Sequence, residues 1–436
     1  MKTFDSSNAH VARAHQLIPG GAHTYARGDD QYPERMAPVI EHGSGCRVWD
    51  LDGNEFIEFG SGLRSNILGH GYEPVLQAVR SRLADGFSFV RPHRIELEAA
   101  QCLNQLIPCA EMVKFGLNGS DATTAAIRLA RAATGRDLVA VCQDQPFFST
   151  DDWFITTTQM PAGIPAAVSE MTLRFGYNDL AGLARLFGSH PGQIAAVVLE
   201  AETTEPPAPG YFDGLRALCD QQGALLVLDE IITGFRWHLR GAQTVYGIQP
   251  DLCTFAKGLA NGFPVSALTG RREIMRLGGA THDADRVFLL SQTASAQPWA
   301  LAAMMATIST YEREGTAERL SQIGAELRRG FEEVVASAGL SDYFQLRGRD
   351  CNLVYVARDG QGRPSQEFRT LVLQELIERG ILAPSFVVST AHEPADIRQT
   401  LEAVAALLPA YRRALDEGIA AVLRGRPVQP AIRRRG

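Results

Sequence analysis

At 436 residues the chain exceeds what a single hydrophobic core usually holds, so at least two lobes are expected. A hydrophobic fraction of 45% and a charged fraction of 21% are those of an ordinary globular protein. The net charge of −7 argues against a polyphosphate partner, so no nucleic-acid ligand is expected.

In chain order, the opening stretch MKTFDSSNAHVARAHQLIPGG has no apolar signal-like core. With no apolar run long enough to span a bilayer, no membrane partner is expected and the expected location is the cytoplasm. CRVWDLDGNEFIEF (46–59) reads as a hairpin about Asp52-Gly53. PVLQAVRSRLADG and ELEAAQCLNQLI follow with helical spacing. From 112 the pattern becomes short, nearly continuous apolar runs: MVKFGLN, LVAVCQ, IAAVVLE, ALLVLDE, LCTFAK and VSALTG. Such runs are doubly buried strands, and helical segments such as DATTAAIRLARAAT and YFDGLRALCDQQG separate several of them. That alternation predicts an α/β fold with a mainly parallel sheet.

Long helices follow (PWALAAMMATISTYERE, TAERLSQIGAELRRGFEEVVASAG), then an α+β stretch from FQLRGRDCNLVYVARD to PADIRQTLEAVAALLPAYRRAL. The arginine-rich end, RPVQPAIRRRG, reads as a solvated tail. The expected organisation is an N-terminal arm and hairpin over 1–60, a large domain over 61–312, and a C-terminal stretch over 313–436 that joins the arm in a smaller α+β domain. The seven cysteines are scattered and odd in number, and the ten histidines are dispersed. Reduced, mostly buried thiols are expected, with no disulfide framework and no metal site.

Of 42 basic residues only Lys2, Lys114 and Lys257 are lysines, leaving 42 − 3 = 39 arginines. Lys257 closes the apolar run LCTFAK ahead of GLANGFP. A desolvated amine there is a nucleophile, whereas a guanidinium is not. Asp229, 28 residues earlier, closes ALLVLD, at a strand end where α/β proteins bind ligands. An amine that forms an imine and a carboxylate that holds a protonated ring nitrogen suit pyridoxal 5'-phosphate. Gly119-Ser120, between MVKFGLN and a helix, offers amides and a hydroxyl to a phosphate. Taken singly, the three are also a snorkelling lysine, a helix-capping aspartate and a common turn.

In this order the motifs resemble those of the class III pyridoxal-phosphate aminotransferases of fold type I, closest to the glutamate-1-semialdehyde aminomutase group. LIPGGAHTYAR, VWDLDGNEFIEFGSG, GSDATTAAIRLARAATGR, TASAQPWALAA, STAHEPADIRQTLEA and above all LLVLDEIITGFR with YGIQPDLCTFAKGLANGFPVSALTG carry the likeness over nearly the whole chain. The resemblance implies that Lys257 forms the internal imine and shuttles the proton, and that Asp229 binds the pyridine nitrogen. It implies that Ile231, on the same strand face, presses against the ring. Gly119 and Ser120 would bind phosphate, and Thr293 the phosphate of a neighbouring subunit's cofactor, making the enzyme a homodimer with shared sites. Arg27 matches an arginine that binds a substrate carboxylate.

Departures from the family lie around the expected substrate. The stretch holding a stacking tyrosine reads CQDQPFFSTDDWF, with Phe147 or Phe148 as the remaining aromatic. LEAETTEP keeps Glu200 but continues Ala201-Glu202, Gln292 precedes Thr293, Ala296-Gln297-Pro298 replaces Gly-Asn-Pro, and Leu63-Arg64 replaces a tryptophan and a glycine. The expected activity is an aminotransferase that moves an amino group from a small-molecule donor to an aldehyde or ketone acceptor through the Lys257 imine, with pyridoxamine 5'-phosphate as intermediate. Arg27 and Arg64 would hold an anionic group of one substrate. The alternatives are an intramolecular aminomutase of the glutamate-1-semialdehyde type and a non-catalytic homologue used for binding.

Overall fold

Seven strands of the central stretch hydrogen-bond into one sheet in a computed structural model that describes residues 2–433. From edge to edge they are Met112–Gly116, Ser266–Gly270, Leu252–Phe255, Leu225–Asp229, Ile194–Glu200, Leu138–Cys142 and Thr172–Phe175. The last five run parallel, and Ser266–Gly270 is antiparallel to both its neighbours. Every residue of Ile194–Glu200 is buried, as a strand covered on both faces requires. The helix Gly119–Thr134 buries Ala122, Ala125, Ala126 and Ala130, small side chains that let it lie close to the sheet. Together residues 73–317 form one compact unit.

Residues 2–72 and 318–433 form a second compact unit. Its sheet contains the predicted hairpin, Arg47–Asp50 against Glu55–Glu58, with Ile40–Ser44 added on one side. On the other side lies Ile381–Leu382, parallel to Glu55–Glu58 through Ile57 N to Gly380 O (2.9 Å) and Phe59 N to Leu382 O (3.0 Å). Among the elements that sequence reading left undelineated are the helices Asp5–Leu17 and Gln366–Glu378 here, and the edge strand Thr172–Phe175 in the large unit. Phe4 supplies no side-chain cap for Asp5–Leu17. Instead Asp52 of the hairpin turn accepts from Ser6 N at 2.7 Å and Ser7 N at 2.9 Å, satisfying the helix's first amides.

The core of this unit gathers Phe4, Val48, Phe56, Leu373, Ile377, Leu382 and Val428. Val428 belongs to the segment expected to be a solvated tail, and the expectation fails there. The side chain is buried, and Val428 N donates to Thr370 Oγ1 at 2.9 Å. The terminal arginines beyond 433 lie outside the described residues. No described helix is long and apolar enough to cross a membrane.

Candidate active site

The parallel strands of the large unit bring several of the expected site residues to one neighbourhood. Asp229 is the last residue of Leu225–Asp229 and is 3% exposed. Its Oδ1 accepts from Ile231 N at 2.8 Å and Thr254 Oγ1 at 3.3 Å. Burial pushes its pKa up to about 7, while the Ile231 hydrogen bond, the charge of nearby Lys257 and the Thr254 hydrogen bond pull it down. A carboxyl so placed is short of positive charge.

Ile231 was expected on a strand face, but the strand ends at Asp229, and Ile231 sits in the turn that follows. From that turn its side chain reaches the start of the helix at 119. A Cβ on Gly119 would stand 2.7 Å from Ile231 Cδ1, so only glycine fits. Next in sequence, Glu230 is buried and fixes the following loop through Thr233 Oγ1 (2.5 Å), Ala242 N (2.9 Å) and Gln243 N (2.8 Å).

Lys257 stands two residues beyond the end of Leu252–Phe255 and opens the 3₁₀ turn Lys257–Ala260. Its φ of 48° is left-handed, which costs a non-glycine residue about 1–2 kcal/mol. Such strain persists only where surrounding structure imposes it. Tyr311, fully buried on the helix Pro298–Glu314, donates to Gly258 O at 2.6 Å and pins the turn.

The helix Gly119–Thr134 starts with a reciprocal box in which Asn118 accepts from Asp121 N at 3.1 Å and Asp121 accepts from Asn118 N at 3.0 Å. The amides of Gly119 and Ser120, at the first two helical positions, have no intrahelical acceptor. Ser120 Oγ accepts from Thr150 N (3.0 Å), and Thr123 Oγ1 donates to Phe148 O (2.9 Å). These bonds hold the loop carrying the two phenylalanines against the helix start. Phe148 is 1% exposed and Phe147 44%, and both meet Phe154 edge-on. Of the two, Phe147 is the one exposed enough to meet another group.

Thr293 is exposed and lines a cavity of about 260 Å³ with Ser88, Phe89, Arg91 and His93. Its neighbour Gln292 donates to Asp121 Oδ1 at 2.8 Å, tying this loop to the same helix start.

The two expected substrate arginines belong to the other compact unit. Arg27 is exposed in the 3₁₀ turn Tyr25–Arg27, and among the described residues no ion pair holds it. Arg64 is half-buried, with Nε donating to Asn352 Oδ1 at 2.8 Å. It ends a run of four left-handed residues, Ser61, Gly62, Leu63 and Arg64, with φ of 45°, 58°, 59° and 75°. Asn352 and Tyr311 were missed from sequence. Thr254 was also missed, although one polar residue inside the apolar run LCTFA, in register with Asp229, was a readable signal. Among the described residues, no group of three or more His, Cys, Asp or Glu is placed to hold a metal.

Comparison with known proteins follows the same lines. The model of the class III aminotransferases matches residues 29–382. A glutamate-1-semialdehyde 2,1-aminomutase from Roseiflexus castenholzii is 34% identical over 453 residues, spanning 96% of this chain and 100% of that protein. An omega-transaminase from Sphaerobacter thermophilus superposes with a TM-score of 0.84 at 27% identity, covering 93% of this chain and 98% of that one. The FumI protein of Sphingopyxis sp. MTA144, solved in its PLP internal aldimine form, gives 0.85 at 26% identity, with 97% and 98% covered.

Proposed function

Since the chain belongs to the class III aminotransferases, pyridoxal-phosphate-dependent enzymes of fold type I, we propose that it transfers an amino group from a donor to an oxo acceptor in two half-reactions. Pyridoxal 5'-phosphate, when bound, supplies an aldehyde that captures amines and a ring that stabilises charge on the carbon losing its proton. Two features of the large unit fit that group. A buried carboxyl short of positive charge suits a protonated ring nitrogen, and the helix start at Gly119, where a Cβ would strike Ile231, suits a phosphate.

In this reading Asp229 holds the ring nitrogen and Ile231 and Phe147 pack against the ring. Gly119 and Ser120 bind the phosphate through amides and hydroxyl. Lys257 Nζ anchors the cofactor and then carries the proton between the two carbons that exchange it. Thr293 reaches the phosphate of a second subunit's cofactor, so the enzyme works as a homodimer. Arg27 and Arg64 bind the anionic end of a substrate. The location is the cytoplasm, in keeping with seven free thiols.

The observation that carries the reading is Asp229 buried beside the charge of Lys257 at the strand ends. The aminomutase alternative draws on the 34% identical relative. To decide, the holoenzyme is given single amino donors and the cofactor absorbance is followed. A transaminase stops after one equivalent until an oxo acceptor is added. Continuous product formation from a lone amino-aldehyde would instead identify a mutase.

A further inference from the structure

Among the described residues no ion pair holds Arg27, although two carboxylates follow it within three residues. Asp29 and Asp30 open the 3₁₀ turn Asp29–Gln31, which follows Tyr25–Arg27 after a single residue. Both acids are already engaged. Asp29 is paired with Arg426 at 3.1 Å and His15 at 2.8 Å. Asp30 is paired with Arg433 at 2.6 Å and accepts from Gln31 Nε2 at 3.1 Å.

The two arginines come from the far end of the chain, and their segment is docked along its length. Arg424 pairs with Glu378 at 2.6 Å, and Arg426 N donates to Glu34 Oε2 at 2.9 Å. Val428 plugs the core, Gln429 N donates to Asp30 O at 2.9 Å, and Gln429 O accepts from Gln31 Nε2 at 2.9 Å. The segment is therefore a strap laid across residues 29–34, and its charges fall on the acids beside Arg27.

We propose that the C-terminal strap, residues 424–433, positions Arg27 for substrate by occupying Asp29 and Asp30, so that an anionic substrate is the best partner left for its guanidinium. This rests on the reading of Arg27 as the binder of a substrate carboxylate or phosphate. Without the strap charges, Asp29 or Asp30 turns onto Arg27 and competes with the substrate as an intramolecular anion. Arg426 and Arg433 are positioning residues, acting through Arg27.

The test compares three donors in the first half-reaction of the holoenzyme: 4-aminobutanoate, 3-aminopropyl phosphate and n-butylamine. The better of the two anionic donors identifies the group bound. In Arg426→Gln/Arg433→Gln, which leaves Val428 seated, the KM for that donor rises about tenfold, as expected for the loss of one charge-assisted contact. Its kcat and the butylamine kinetics stay the same, and adding Asp29→Asn/Asp30→Asn restores the KM. An unchanged KM, an equal rise for butylamine, or no recovery on adding the asparagines overturns the strap proposal. A wild-type enzyme with no preference for either anion, or an Arg27→Ala variant with unchanged KM, overturns the Arg27 reading instead.

Discussion

The Tyr311 hydroxyl donates a 2.6 Å hydrogen bond to the carbonyl of Gly258, the residue after Lys257. This bond joins a long helix to the strained turn that presents the lysine. Tyr311→Phe leaves a buried carbonyl without its donor, at about 1–3 kcal/mol. We expect a lower thermal midpoint and a reduced kcat with little change in donor KM. A variant with wild-type kcat would show that the turn holds itself.

Lys257→Ala removes the amine without opening a large cavity, since the side chain is only partly buried. Turnover should fall by at least about 10²–10⁴-fold, the range for loss of a positioned acid–base group, with unchanged circular dichroism. Lys257→Arg should be equally inactive, because a guanidinium stays protonated at every accessible pH. Substantial activity in either variant would contradict the assignment.

The two phenylalanines of the 145–150 loop separate cleanly. Phe148→Ala empties a filled site and should destabilise the protein by about 3–5 kcal/mol. Phe147→Ala, on a side chain 44% exposed, should change stability little but weaken cofactor retention on dialysis. Equal cofactor retention in Phe147→Ala and wild type would remove Phe147 from the site.

Gly119→Ala brings a methyl to 2.7 Å from Ile231 Cδ1 at the start of the helix. The overlap forces one of them aside, a cost of about 1–3 kcal/mol, and intrudes where a phosphate would sit. Equilibrium titration of apoenzyme with cofactor should show weaker binding. The double variant Gly119→Ala/Ile231→Val should recover part of the stability but not the affinity.

Asp229 sets a pH dependence of the apoenzyme. Its folded pKa, about 7, lies above the ordinary 3.8, because burial disfavours the carboxylate. Its contribution is therefore full below pH about 4 and is lost as pH rises toward and through 7. Between pH 5 and 8 the thermal midpoint of the wild-type apoenzyme should fall relative to that of Asp229→Asn. Parallel melting curves for the two proteins across that range would refute the shift.

The parts of this fold that were legible in sequence are those whose burial is uniform or strictly periodic. The strands around Val197 and Leu228 are apolar up to their terminal carboxylates because both faces are covered, and the hairpin is announced by Asp52-Gly53. Thr172–Phe175 was not legible: it is an edge strand of four residues with only its ends buried. Nor was Asp5–Leu17, whose N-terminal cap is Asp52, supplied from another element. At the site, the types and spacing of Asp229 and Lys257 pointed to chemistry. The turn conformation that puts Ile231 against Gly119 did not show in any periodicity. The terminal stretch read as solvated because its partners lie far back in the chain, Asp29 being 397 residues from Arg426.

The pairing of Glu55–Glu58 with Ile381–Leu382, and the burial of Val428 among residues from both ends, have a consequence during synthesis. The unit spanning 73–317 is continuous and has all its strands once its last residues leave the ribosome. The other unit keeps Glu55–Glu58 without its parallel neighbour until Ile381–Leu382 is made, and an incomplete core until Val428 follows. For most of translation its hairpin is a nascent strand awaiting a mate.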